Sequence, residues 1–306
     1  MEHESGAVSR AKASLIFSML AFGTIGIFVR YIPLPSGVIA LTRGMIGTVF
    51  LLIVTFKRGP GVSWRGIGKN LFYLCLSGAF IGINWILLFE AYHYTTVATA
   101  TLCYYMAPVF VTLSAPFVFK ERLTKKKMFC VAVALVGMIF VSGIWHTGLS
   151  GTGELRGVFY GIGAAVFYAS VILLNKKIRD ISDYDKTMTQ LAAASVVLLP
   201  YTVLTERASV MAVTPVVVIL LAVVGILHTG ISYTLYFGSM KDLEAQTIAI
   251  FSYIDPIMAV LLSAVFLREP LGVGGIVGAI LVLGAALISE LPENNGKQEE
   301  RHEENI

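Results

Sequence analysis

The chain has 306 residues, of which 56% are hydrophobic and only 14% are charged, and its mean hydropathy is +0.78. Soluble domains carry about 25% charged residues, so this composition excludes an ordinary soluble protein and predicts a chain that crosses a membrane several times. The net charge of +4 could attract an anionic partner, but in a membrane protein the positions of the positive residues matter more than their sum. The three cysteines lie inside apolar runs, so we expect no disulfide framework, no metal and no cofactor.

Ten apolar segments are long enough to cross a bilayer as helices, at about 20 residues for each crossing. They run approximately over Ala13–Ile32, Val38–Phe56, Leu71–Glu90, Val97–Phe119, Met128–Ile144, Gly157–Asn175, Thr187–Leu204, Pro215–Tyr236, Thr247–Leu267 and Val273–Ser289. The first segment is too long for the apolar core of a signal peptide, so we expect it to stay in the mature protein. The charged residues 290–306 are expected to form a disordered cytoplasmic tail.

Lysine and arginine are distributed very unevenly between the two sides of this predicted bundle. Eighteen of the 23 lie on the side of the N-terminus and 4 on the other side, while Arg43 lies within a span. The positive-inside rule therefore predicts a multi-pass protein of the cell membrane (plasma or inner membrane) with both termini cytoplasmic. The basic run 125–127 is expected to contact anionic lipid, and it does not indicate a nucleic-acid site.

A long motif occurs twice, at Thr99–Leu123 and again at Thr247–Leu271. Each copy is apolar, carries a proline near its middle (Pro108 or Pro256) and ends in a basic–acidic pair. A proline inside a membrane helix leaves a carbonyl group without its hydrogen-bond donor. Paired interruptions of this kind point to a transport site near the midplane, and we expect the two prolines to act as hinges.

Weaker matches extend the repeat to the earlier spans, where Arg43 aligns with Gln190 and Asn84 aligns with Ser232. Each half then has five spans, and because five is odd the halves must run in opposite directions through the membrane. The predicted fold is an all-α integral membrane protein with ten transmembrane helices, arranged as two five-helix inverted repeats.

These segments resemble the EamA-type proteins of the drug/metabolite transporter superfamily. The resemblance rests on the paired blocks "YYMAPVFVTLSAPFVFKERL" and "TIAIFSYIDPIMAVLLSAVFLREPL" and on "ALTRG" in the second span. It covers two repeats, 12–144 and 156–289, which follow a cytoplasmic segment 1–11 and are joined by an external linker 145–155. It implies a central substrate cavity and transport of small metabolites, commonly efflux of amino acids. The related small multidrug resistance proteins carry an acid in the first span, which is absent here, so their proton exchange at that site is not carried over.

Two ionisable side chains fall near the middle of predicted spans, Asp255 beside Pro256 and His228 in the eighth span. A carboxylate at mid-membrane costs about 2.5–3.5 kcal/mol, so Asp255 must face a cavity, find a partner or stay protonated. It either binds a substrate ammonium group or a coupling proton, or it only caps the carbonyl groups freed at the kink. His228 either shuttles protons or forms a neutral hydrogen bond between helices.

Polar and aromatic side chains of the matched spans are candidates for lining a substrate cavity, and their rings suit a cationic or amphipathic ligand. Ordinary packing and hydrogen bonding between helices is the alternative for each of them. The predicted substrate-binding residues are Asn84, Trp85, Tyr105, His228, Ser232, Tyr253 and Asp255, with Tyr104 and Tyr168 as further lining candidates.

Charged residues near span ends have simpler interpretations. Arg43 and Glu90 could pair with each other, but contact with the outer lipid headgroups is the simpler expectation for both. Glu121 and Glu269 each follow a cation at the end of a span and are expected to form helix-end ion pairs or gates.

The sequence predicts a secondary transporter of small organic metabolites that exports amino acids or related compounds by alternating access. Its expected partners are a small-molecule substrate and the lipid bilayer. Protons are one candidate coupling ion, and association as a homodimer is left open. A lipid-moving or structural membrane protein is the alternative. An intramembrane enzyme is least favoured, because neither a GxGD motif nor a metal-ligand cluster occurs in the sequence.

Overall fold

The structure is a computed structural model that describes residues 2–57, 61–119, 124–141, 152–206, 213–239, 243, 251–269 and 272–291. Every regular element in these ranges is a helix. The elements are α1 (Glu2–Arg30), α2 (Ser36–Lys57), α3 (Trp64–Tyr94), α4 (Val97–Tyr104), α5 (Ala107–Phe119), α6 (Lys125–Val141), α7 (Thr152–Asn175), α8 (Asp183–Thr205), α9 (Pro215–Val223), a π-helical segment (Val224–Ile231), α10 (Ser232–Ser239), α11 (Ile254–Phe266) and α12 (Val273–Glu290).

Seven apolar helical stretches in the described part of the chain are long enough to cross a membrane. Two shorter apolar helices, Ile254–Phe266 and Val273–Ser289, accompany them. These elements confirm an all-α multi-pass membrane protein, while the ten-span count and the inversion of the repeats stay predictions. Most of the predicted linker 145–155, most of the tail 290–306 and the acid Glu121 lie outside the described residues.

Several helices begin where a short polar side chain precedes an apolar run. Thr96 caps α4 by accepting a hydrogen bond from the Thr99 amide at 3.0 Å. Thr214 caps α9 in the same way, and Pro215 takes the first helical position, where no amide donor is needed. Each cap satisfies a donor that would otherwise be lost in a low-dielectric environment, so these polar residues fix where the helices start.

Both repeated motifs break the helix just before the proline. In the first copy α4 ends at Tyr104 and α5 begins at Ala107, so Pro108 lies in the first turn of α5. In the second copy α11 begins at Ile254 and Pro256 lies in its first turn. A first-turn proline is tolerated because the first amides of a helix have no intrahelical acceptor. The breaks agree with the predicted interruptions, whereas hinge motion at the two prolines stays a prediction.

The π-helical segment lies in the middle of the predicted eighth span. Three polar side chains in or next to it contact backbone carbonyls five residues earlier: His228 contacts Val223, Thr229 donates to Val224 and Ser232 donates to Leu227. A π turn is wider than an α turn and is often found at functional sites. Here it turns Thr229 and His228 toward two different neighbouring helices.

The most extensive helix contacts join a helix of the first half to a helix of the second. α3 packs against α7 and α8, and the π segment with α10 packs against α1 and α2. α4 and α11 contact each other, and so do α6 and α12. α6 and α12 approach closely because Gly137 and Gly278 face each other, where a Cβ on Gly278 would lie 2.6 Å from the Gly137 carbonyl oxygen. The two halves therefore interlock instead of folding side by side.

Candidate functional site

A cavity of about 470 Å³ lies between helices of both halves. Its wall is rich in aromatic rings and carries several polar groups and three charged side chains. The aromatic lining residues are Phe22, Trp85, Phe89, Tyr92, Tyr104, Tyr105, Tyr168, Tyr233, Tyr236 and Tyr253. The polar and charged lining residues are Arg43, Asn84, Thr101, Asn175, Lys186, Thr187, Gln190, Ser252 and Asp255. A cavity of this size suits a small organic molecule.

One wall is formed where the two broken helices meet. The hydroxyl group of Tyr105 donates a 2.8 Å hydrogen bond to Oδ2 of Asp255. The ring centres of Tyr105 and Tyr253 lie 6.5 Å apart, and those of Tyr104 and Tyr168 lie 5.1 Å apart. The structure therefore brings together the predicted residues Tyr105, Tyr253 and Asp255 on one face of the cavity.

Arg43 supplies a positive charge in the cavity, opposite in sign to that of the Asp255 carboxylate. Only 5% of the surface of Arg43 is exposed. Its Nε donates a 2.7 Å hydrogen bond to Oγ1 of Thr229, and its guanidinium carbon lies 4.3 Å from the centre of the Trp85 ring and 5.9 Å from that of Phe89. The expectation that Arg43 reaches the outer headgroups is wrong, because its side chain turns inward across the bundle. Glu90 does not pair with it and instead accepts a hydrogen bond from Ser36.

Arg43 and Asp255 share the cavity without touching each other. The ion pairs found among the described residues are Arg30 with Glu269 and Lys186 with Asp183. The cavity thus holds a buried cation and a half-buried acid that do not form an ion pair with each other. Such an arrangement can attract a molecule that carries both an anionic and a cationic group.

The remaining predicted residues divide into two groups. Asn84 lines the cavity, and its Nδ2 donates to the Ala164 carbonyl oxygen at 2.6 Å. Trp85 and Pro108 also line it, while Pro256 is buried in α11. His228 and Ser232, by contrast, are fully buried and do not form part of the cavity wall.

His228 belongs to the π segment and faces α1. Its Nε2 is 2.7 Å from Oγ1 of Thr24, its Nδ1 is 3.3 Å from the Val223 carbonyl oxygen, and its ring centre is 5.0 Å from that of Phe28. The Thr24 hydroxyl group also donates to the Ala21 carbonyl oxygen at 2.8 Å, so the donor in its contact with Nε2 depends on the tautomer of the imidazole. This geometry matches the interhelical hydrogen bond that the sequence left open as the alternative.

The sequence interpretation missed several polar lining residues near one end of the cavity, among them Asn175, Lys186 and Gln190. Gln190 donates through Nε2 to Ser77 and to Asn175, both at 2.6 Å. Lys186, one turn earlier on α8, pairs with Asp183 at 2.6 Å. The predicted seventh span started at Thr187 and so placed Lys186 in a loop. The alignment of Gln190 with Arg43 was the signal that could have identified Gln190.

At the other end, two acids bind the starts of helices from the opposite half. Glu269 accepts hydrogen bonds from the Val97 amide at 2.9 Å and from Ser263 at 2.5 Å, and it lies 3.5 Å from Arg30. The carboxylate oxygens of Glu206 accept from the first amides of α2, those of Gly37 and Val38, each at 3.0 Å. The predicted helix-end ion pair of Glu269 is therefore found, with Arg30 as its partner.

Two features concern enzyme chemistry, a metal-ligand cluster and a serine-nucleophile motif. The described residues contain no group of three or more His, Cys, Asp or Glu side chains suited to a metal ion. A GxSG string, the pattern of an intramembrane serine nucleophile, does occur at 148–151, but it lies in the predicted linker and outside the described residues. No predicted span contains that string.

Known proteins match this chain along nearly its whole length. The EamA-like transporter family matches residues 11–143 and 155–290. The uncharacterized transporter YxxF of Bacillus subtilis (strain 168) is 30% identical over 260 residues, which covers 84% of this chain and 82% of that protein. Protein PecM of Dickeya dadantii (strain 3937) is 27% identical over 258 residues, 81% of each chain.

A solved protein structure shares the fold at 19% identity, with a TM-score of 0.60 over 92% of this chain and 96% of the other. The twofold family match reproduces the two repeats that the paired proline motifs predict. Together with the interlocked apolar helices and the cavity, these matches establish that the chain belongs to the EamA-like transporter family and is a multi-pass membrane transporter.

Proposed function

We propose that this protein is a secondary transporter that exports small organic metabolites, among them amino acids or related compounds, by alternating access. The observation that carries the proposal is the cavity between the two halves, which holds Arg43 and Asp255 apart inside an aromatic wall. Charged side chains buried in a membrane protein are costly, and they mark substrate or ion pathways. A cavity built by both halves is also what alternating access requires, because relative movement of the halves then changes access to it.

The packing of the helices supports ten spans in two inverted repeats. The third span contacts the sixth and seventh, and its counterpart in the second half, the π segment with α10, contacts the first and second. Polar contacts recur between corresponding spans in the same way. Arg43 of the second span binds Thr229 of the eighth span. Gln190, which matches Arg43 in the seventh span, binds Ser77 of the third span. A pseudo-twofold axis in the membrane plane would produce this reciprocity.

Hydrogen bonds join the two halves at both ends of the bundle, and those between Asn70 and Arg179 lie at the predicted cytoplasmic end. With both termini cytoplasmic in a cell membrane, as the positive-inside rule predicts, Lys186 and Asn175 lie at the cytoplasmic ends of α8 and α7, and both line the cavity. Glu269 and Glu206 then lie at the external ends, where they tie helices of the two halves together. Substrate would enter from the cytoplasm and leave after these external ties break.

In this scheme Asp255 receives the ammonium group of the substrate or a coupling proton. Among the described residues Oδ2 accepts from Tyr105 and Oδ1 has no hydrogen-bond donor, so Oδ1 is available to a ligand. The tyrosine rings around it can stabilise a cationic or amphipathic group.

The test compares metabolites in cells that lack the gene, overexpress it, or overexpress the Asp255→Asn variant at the same membrane level. Export predicts that a set of small metabolites accumulates in the medium only with the native protein and rises inside the deletion strain. Identical metabolite profiles in all three strains would contradict an export function.

A further inference from the structure

The guanidinium group of Arg43 is held in place on three sides. Its Nε donates a hydrogen bond to Thr229. The guanidinium carbon lies 4.3 Å from the centre of the Trp85 ring and 5.9 Å from that of the Phe89 ring. Thr229 is itself fixed, because its hydroxyl donates to the Val224 carbonyl oxygen at 3.1 Å inside the π segment. When the Nε of an arginine is hydrogen-bonded and the face of its planar guanidinium group contacts an aromatic ring, its two terminal nitrogens form a rigid fork.

This fork has no acceptor of its own. In the described part of the chain the terminal nitrogens of Arg43 make no hydrogen bond, and no carboxylate lies within ion-pair distance. Buried charges in proteins are normally paired, so the unpaired fork at the cavity wall is incomplete without an anion. The bidentate match of guanidinium to carboxylate supplies that anion in the most favourable geometry.

The surroundings favour a carboxylate over a phosphate. The other basic group at the cavity wall, Lys186, is already paired with Asp183, which leaves one cation for the ligand. A singly charged carboxylate is balanced by one guanidinium, whereas a phosphate dianion would leave charge buried and unpaired. Tyrosine and tryptophan rings provide the rest of the contact surface and suit an organic body.

We propose that Arg43 is the anion subsite of the cavity and that it takes the carboxylate group of an organic monocarboxylate substrate. The inference rests on the proposed transport function and assigns the chemical class of its substrate. Arg43 then determines specificity, because a molecule that lacks the carboxylate leaves the buried fork unpaired.

The experiment measures thermal stabilisation of the purified full-length protein in detergent by two matched panels. One panel contains the common amino acids, and the other contains the amines that remain when their carboxylates are removed. Native protein should be stabilised by members of the carboxylate panel and at least tenfold more weakly by the matched amines, because charge-assisted hydrogen bonds are worth about 1.5–3 kcal/mol. Inorganic phosphate and a sugar phosphate form the third arm.

Arg43→Gln is the informative variant, since the matched position in the other half already carries Gln190 and the side chain keeps hydrogen-bonding capacity. It should keep the melting temperature of the empty protein within a few degrees and lose the carboxylate response, while Arg43→Lys restores part of it. Arg65→Gln, on the cytoplasmic side and outside the cavity, is the control and should respond like the native protein.

The assignment is overturned if native protein fails to respond to carboxylates, responds equally to the amines, or responds only to the phosphates. It is also overturned if Arg43→Gln keeps the full discrimination. A metabolite exported in cells but lacking a carboxylate would overturn this assignment and leave the transport function standing, so the two failures are distinguishable.

Discussion

Tyr105 and Asp255, which form a hydrogen bond of 2.8 Å at one wall of the cavity, come from opposite halves of the chain. Each lies at the break of a proline-containing span, so the bond joins the two interrupted helices directly. The matched pair in the pseudosymmetry would be Tyr253 with Ala107, which cannot form this bond because Ala107 has no acceptor in its side chain. The acid therefore makes the two halves chemically different at the point where they otherwise correspond.

The asymmetry predicts a coupling role for Asp255. In proteoliposomes an imposed pH gradient should drive substrate accumulation by the native protein, and Asp255→Asn should abolish accumulation while keeping substrate exchange. Asparagine keeps the shape and can still accept from Tyr105, but it cannot exchange a proton. Tyr105→Phe is the comparison variant, because it removes the hydrogen bond and leaves the carboxylate. Accumulation by Asp255→Asn equal to that of the native protein would leave the acid with only a structural role at the Pro256 break.

The two prolines give a second prediction. Pro108→Ala and Pro256→Ala should each insert and fold, because both prolines occupy first-turn positions among apolar neighbours, yet both should transport several-fold more slowly. The reason is that alanine allows the helix to continue through the break and so stiffens it. The measurement is the initial rate of export at matched membrane levels. Native rates in the double variant would show that the breaks are not hinges.

Local sequence signals predicted much of this fold, and tertiary contacts explain what was missed. Predicted span starts at Val97 and Pro215 coincide with helix starts, because caps and proline act within one turn. The inward turn of Arg43 was not predicted, since depth along a span does not reveal which neighbour a side chain faces. Its partner Thr229 lies in a π segment 186 residues away, and no sequence pattern marks that backbone change.

Topology is testable without knowing the substrate. In a protein whose native cysteines are replaced by serine, single cysteines at Lys126 and Lys177 should be protected from an impermeant thiol reagent in intact cells, and one at Arg207 should be labelled. The expectation follows from the 18 to 4 distribution of basic residues. Labelling at Lys126 from outside would contradict either the orientation or the number of spans. Permeabilised cells, in which all three should react, provide the control for reactivity.

The close approach of α6 and α12 predicts a stability effect. Gly278→Ala should destabilise the protein by about 1–3 kcal/mol, because the added Cβ would meet the Gly137 carbonyl oxygen at 2.6 Å and force the helices apart. Gly284→Ala on the same helix is a matched control, since a Cβ there has no neighbour within 4 Å. Thermal unfolding in detergent should show a lower midpoint for Gly278→Ala alone. Equal midpoints for the two variants would mean that the helices adjust without cost.

Glu269, which lies at the external end in the proposed orientation, gives the final prediction. Its carboxylate caps the first turn of α4 through the Val97 amide, accepts from Ser263 and faces Arg30 at 3.5 Å. Because an acid at a helix start combines hydrogen bonding with the helix dipole, Glu269→Gln should weaken external closure more than Arg30→Gln does. The Arg30 side chain is 37% exposed, and exposed ion pairs contribute only about 0–1 kcal/mol.

A cysteine at the cavity residue Thr101, in the same cysteine-free background, reports opening by its labelling rate from outside. Labelling should rise several-fold in Glu269→Gln and little in Arg30→Gln, and an equal rise in both would assign the closure to the ion pair instead of the cap.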